Sequence, residues 1–266
     1  MGITRIEEFM AGKKWTEAEL MTVLGVYCRL TFGQLSQTNQ LIRDVAERLD
    51  RTPSSVAMKL TNLASLDPAI TSTGRKGLPG ASALDRKVWA DFSSNTETWM
   101  PIIENRLDEL LGDQGAAEAP GTDTPSDVDY SGSDVLTMAK RRQGQRLFRD
   151  AVFTAYQFRC CITDIADTRL LIASHIKPWR EDKANRFNPG NGLCLSALAD
   201  RAFDQGLISL SDNYEVIVSS VLKAQSENKY IHNMFCANEG RAIRMPEKFR
   251  PAKEFLAWHR ENLFLG

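Results

Sequence analysis

Residues 171–206 read LIASHIKPWREDKANRFNPGNGLCLSALADRAFDQG, and the fold turns on how this stretch divides. The β-like run RLLIASHI carries His175, one of only three histidines in the chain. A polar loop spans 180–190, GLCLS forms a second short strand, and ALADRAFDQ forms a helix that stops at Gly206. A strand–loop–strand–helix unit sets the end of its first strand beside the start of its helix. His175 is thereby directed towards Asp200 and Asp204. Residues four apart share a helix face, so the two carboxylates form an oxygen-ligand pair suited to Mg²⁺ or Mn²⁺. A neutral imidazole beside such a cation can take a proton from water. Base and cation together suit phosphodiester hydrolysis. Each residue alone also has a structural explanation. Asp200 suits a helix N-terminus, Asp204 suits the turn into Gly206, and Asn191-Gly192 is a common turn dipeptide. The functional reading rests on the combination and its order.

Charge is distributed unevenly. Residues 1–105 hold 12 Lys and Arg against 12 Asp and Glu, residues 106–135 hold 1 against 8, and residues 136–266 hold 20 against 14. The net charge of −1 therefore hides a cationic C-terminal half suited to a polyanion. The stretch GDQGAAEAPGTDTPSDVDYSGSD is poor in large apolar residues, and an acidic flexible linker is expected over 112–135. No apolar run is long enough for a membrane helix, no signal peptide is evident, and five cysteines lack a framework spacing. A reduced, cytoplasmic protein without membrane attachment is expected.

Residues 1–111 read as helical. Thr16 and Glu19 form a capping box, and two apolar runs of helical spacing follow. A turn at D-R-T-P then starts a third helix, with Thr52 or Ser54 as its cap. Turn and helix, with Ser54, Ser55, Lys59 and Asn62 read as exposed, suggest a winged-helix or helix-turn-helix domain for DNA recognition. The Gly-rich STGRKGLPGAS, carrying Arg75 and Lys76, would be a wing or loop near phosphates. A helical interaction module is the other reading. Beyond the linker, KRRQGQRLFRDAVFTAY (140–156) reads as a helix with Leu147, Val152 and Tyr156 inward and its arginines outward.

The motifs S-H-I-K-P-W, N-P-G-N-G-L-C-L and A-D-R-A-F-D-Q-G-L-I-S-L resemble the HNH endonucleases, of the sort described as restriction endonucleases. The likeness extends from the lead-in K-R-R-Q-G-Q-R-L-F-R to F-L-A-W-H-R-E-N-L-F, roughly 136–266. It implies an α+β chain: an N-terminal helical domain before a ββα-metal (His-Me finger) nuclease domain over 136–266. His175 would be the general base, and Asn191 would hold the loop that orients it. Asp200 and Asp204 would ligate the metal, with Ser174 a weak ligand where relatives often carry Asp, Glu or His. Lys177, Arg180 and Arg201 would hold phosphates. The H-N-D pattern and the lack of soft ligands favour Mg²⁺ or Mn²⁺, and adjacent Cys160-Cys161 argues against a structural zinc. Double-stranded DNA is the expected substrate, a homodimer the expected assembly, and restriction or phage defence the expected role. The alternatives are a nuclease activated by a ligand or partner, and a decayed DNA-binding protein.

Overall fold

A computed structural model describes residues 13–71, 80–112 and 144–266. The expected linker, beyond Gly112, lies outside them, as do Arg75 and Lys76 and the first residues of the lead-in helix.

The first segment is built from helices. α1 (Glu17–Arg29) begins at Thr16, whose side chain accepts from the Glu19 amide while the Glu19 carboxylate takes the Thr16 amide. α2 (Gln40–Arg48) and α3 (Pro53–Ala64) follow, the latter capped by Thr52, then a short α4 (Pro68–Thr71). α5 (Ala83–Ser94) and the longer α6 (Thr96–Leu111) pack back onto α1. No strand occurs among the described residues of this segment.

The α3 face differs from the expected recognition surface. Lys59 Nζ lies 2.9 Å from both carboxylate oxygens of Asp85, which is fully buried. Asn62 is 5% exposed. Neither stands on an open face. The first turn of α5 supplies the partner, and sequence periodicity alone does not show which helix covers α3.

The second segment is mixed. α7 (Gln145–Ala155) leads into a turn at Cys160–Ile165 and then the antiparallel hairpin of β1 (Leu171–His175) and β2 (Gly192–Ser196). His175 stands opposite Gly192. α8 (Ala197–Asp204) starts directly from β2. A second hairpin, β3 (Ile208–Leu210) and β4 (Val216–Val218), is followed by short helices α9 (Ser220–Lys223) and α10 (Lys229–Met234) and by α11 (Lys253–Asn262). The chain is thus α+β.

Strand alternation divides the first hairpin into two faces. Leu171, Ala173 and His175 share one with Gly192 and Cys194; Ile172 and Ser174 share the other with Leu193 and Leu195. α7 covers the His175 face. A Cβ on Gly192 would lie 2.5 Å from Val152 Cγ2 and 3.2 Å from Phe148 Cζ, so only glycine admits the helix this closely. α8 packs on both strands.

Both segments contribute to one hydrophobic cluster, from Leu20 to Leu256. Polar staples cross between them. The fully buried Lys248 donates to the Tyr27 carbonyl at 2.6 Å, the Leu30 carbonyl at 2.7 Å and Thr154 Oγ1 at 3.1 Å. Those carbonyls end α1, where a cation is favoured. Thr154 Oγ1 also donates to the Cys28 carbonyl at 2.7 Å.

Burial lowers the Lys248 ammonium from 10.5 to about 8, against the opposing pull of Asp67, Glu247 and Asp150. Lys248→Met should destabilise the fold by about 2–4 kcal/mol near neutral pH, because the carbonyls lose a charged donor. Between pH 8 and 10.5 the unfolded chain binds this proton more tightly than the folded one. Wild-type stability therefore gains through that window and the variant lacks the gain, so urea titrations across it should show the gap between them widening.

Candidate active site

The β1–β2 connection runs from Ile176 to Asn191 and is organised by Asn191 itself, which is fully buried. Its Oδ1 accepts from the Lys177 amide at 2.8 Å, and its Nδ2 donates to the Lys177 carbonyl at 3.0 Å and the Asn185 carbonyl at 3.3 Å. One amide side chain thus ties the start of the loop to its far side. Asp182 reinforces the fold-back by accepting from Asn185 and pairing with Lys177 Nζ at 3.2 Å.

This closure delivers a carbonyl to the imidazole. His175 Nε2 lies 2.8 Å from the oxygen of Arg186, the residue after Asn185. A carbonyl can only accept, so Nε2 carries the proton and Nδ1 keeps its lone pair in the neutral ring. The ring stacks on Phe148 with centroids 4.5 Å apart and planes 7° apart, and Trp179 meets it edge-on at 5.9 Å. Burial lowers the His175 pKa while the Arg186 carbonyl raises it, with a net fall that favours the neutral base.

The other two histidines differ. His259 is fully buried, its Nδ1 2.9 Å from Ser209 Oγ and its Nε2 3.0 Å from the Phe203 carbonyl. Both nitrogens are engaged, and burial lowers its pKa to about 4. His232 sits exposed on α10. Of the three histidines, only His175 combines a fixed tautomer with a spare ring nitrogen.

Asp200 and Asp204 lie on α8. The protein around the Asp204 carboxyl, and then the charge of Asp200 one turn earlier, raise its pKa from 3.8 to about 6. Ser174, on the hairpin face opposite His175, is 3% exposed, and its Oγ is buried without a hydrogen-bond partner. Two carboxylates one helical turn apart are hard oxygen donors of the type that suits a divalent cation, and the Ser174 hydroxyl is a weaker donor of the same kind. Among the described residues no group of three or more His, Cys, Asp or Glu side chains could hold a metal ion, so His175, Asp200 and Asp204 are not gathered into one.

The basic residues vary in availability. Arg180 and Arg201 are exposed, Arg180 lying 3.3 Å from Glu181, whereas Lys177 is 21% exposed and engaged by Asp182. The cysteines are all free thiols. Cys160 Sγ accepts from the Thr163 amide at 3.3 Å, and the Cys161 amide donates to the Cys194 carbonyl at 2.8 Å, so this turn is held by hydrogen bonds.

Residues 160–211 match the family model of the HNH endonucleases. This segment, which contains the whole β1–β2–α8 unit, belongs to that family. Its members are nucleases and generally use divalent metal ions. No curated protein matches the chain. No helix among the described residues is long and apolar enough to cross a membrane.

Sequence reading missed Phe148 and Arg186. Phe148 sits in an ordinary amphipathic helix, and Arg186 acts through its main chain, which leaves no mark on residue type. A cation bound at Asp204 would displace its proton, so Mn²⁺ bound there should raise the melting temperature more at pH about 7.5 than at about 5. Thermal unfolding with and without Mn²⁺ measures this, and Asp204→Asn should remove the difference.

Proposed function

We propose that the protein is a metal-dependent DNA endonuclease in which His175 is the general base. The observation that carries this reading is the Nε2 hydrogen bond to the Arg186 carbonyl, which leaves Nδ1 as the proton acceptor. Nδ1 takes a proton from water, the resulting hydroxide forms a bond to phosphorus, and the P–O3′ bond breaks. The products carry a 5′-phosphate and, after protonation by solvent, a 3′-hydroxyl. Asn191 positions the loop and through it the imidazole. Asp200 and Asp204, with Ser174 as a weak third ligand, would hold Mg²⁺ or Mn²⁺. A divalent cation held there would supply charge neutralisation at the scissile phosphate. Arg180 and Arg201 reach flanking phosphates, with Lys177 nearer the loop. Arg75 and Lys76, outside the described residues, are assigned to DNA binding from their sequence alone. Lys59, held by Asp85, contributes to the fold of that segment.

Cutting both strands of a duplex calls for two such sites, which a homodimer supplies. A cytoplasmic restriction or phage-defence enzyme is the role that fits a nuclease joined to a separate helical segment. A partner-activated nuclease is the second reading. It is favoured by the 2.7 Å ion pair between Glu97 of α6 and Arg186 in the active-site loop.

Supercoiled plasmid incubated with Mg²⁺ or Mn²⁺ tests the proposal. Wild type should convert it to nicked and linear forms, and His175→Ala should slow this by about 10²–10⁴-fold, the usual worth of a general base. Equal behaviour of the two proteins would contradict the assignment.

A further inference from the structure

The general base is held at two points, and both lead to one helix outside the matched segment. The first is the Phe148 ring beneath the imidazole. Phe148 lies in the first turns of α7, whose N-cap is Gly144 at φ +92 and offers no side-chain cap. The exposed amides are instead taken by Glu104 of α6: Oε2 accepts from the Gly144 amide at 2.6 Å and the Leu147 amide at 3.2 Å, and Oε1 lies 2.9 Å from Arg146 Nε. Glu104 is 3% exposed. A carboxylate from another helix thus completes the start of α7.

The second point is the Arg186 carbonyl. The Arg186 side chain lies over Trp179 and Phe187, and its Nε pairs with Glu97 Oε2 at 2.7 Å. α6 also packs against the turn Lys183–Asn185 just before it. Glu97 and Glu104 are two helical turns apart and share one face of α6. Between them, Gly144 marks where the parts meet: a Cβ there would lie 3.1 Å from both Pro101 of α6 and Phe187 of the loop.

We propose that α6 positions His175 through two carboxylates: Glu97 sets the loop that presents the Arg186 carbonyl, and Glu104 sets the helix that presents Phe148. The first segment is then part of the catalytic apparatus, in addition to any role in choosing DNA. Glu97 and Glu104 are positioning residues. The inference rests on His175 being the base.

The test uses the full chain in plasmid cleavage with Mn²⁺, well below the melting temperature of every variant. Glu97 is partly exposed, so Glu97→Ala is expected to fold. Its kcat should fall about 10-fold or more, since small misplacements of a catalytic group are costly, while KM stays within about twofold. Arg186→Ala keeps the carbonyl but loses the anchor, and should match it. The double variant should be no slower than the slower single, as expected for two ends of one contact. Glu104→Gln, which keeps an acceptor for the amides, should retain more activity than Glu104→Ala at matched folded fraction.

A kcat for Glu97→Ala within twofold of wild type, or losses that multiply in the double variant, would overturn the inference. If wild type cleaves, His175→Ala does not and Glu97→Ala is unimpaired, α6 positioning alone is refuted. If wild type and His175→Ala are alike, the nuclease reading fails and takes this inference with it.

Discussion

A single hydrogen bond from His175 Nε2 to the main-chain oxygen of Arg186 decides what the site can do. Without that acceptor the imidazole could place its proton on either nitrogen, and rotation about its side-chain bonds would be limited only by packing. With it, one tautomer is selected and one lone pair is reserved. The surrounding features supply that oxygen in the right place. Asn191 folds the loop back, Asp182 braces it, and Phe148 and Trp179 confine the ring from its face and edge. The tolerance is narrow on the helix side as well, since β2 must be glycine at 192 for α7 to come close enough.

The same constraint accounts for the joining of two segments of different character. A ββα unit has only a short hairpin and one helix around its site, too little to immobilise a long loop. Support comes from α1, α6 and α7, which pack into one cluster with the hairpin. Lys248 ends α1 with a charge that burial makes costly and three acceptors make tolerable. Such a contact joins the segments more specifically than apolar packing alone.

Much of the local structure was legible because it follows from short-range rules. The Thr16–Glu19 box, the Thr52 cap, the paired strands around S-H-I-K-P-W and G-L-C-L-S, and the helix carrying Asp200 and Asp204 all announce themselves in spacing and residue type. The motifs also identified the family. What was illegible depends on distant partners. Lys59 and Asn62 were read as exposed, yet α5 brings Asp85 onto Lys59 and Asn62 is buried. Phe148 looks like any apolar helix position until the hairpin lies against it. The Arg186 oxygen is invisible in principle, because every residue has a carbonyl.

The central claim is that His175 is neutral with its proton on Nε2. ¹⁵N-labelled histidine makes this measurable, since the chain has only three histidines and His175→Ala identifies the resonance. Long-range ¹H–¹⁵N correlation spectra near pH 7 should show one protonated and one bare ring nitrogen for His175, the bare one being Nδ1. A proton on Nδ1, or a doubly protonated ring at that pH, would contradict the account.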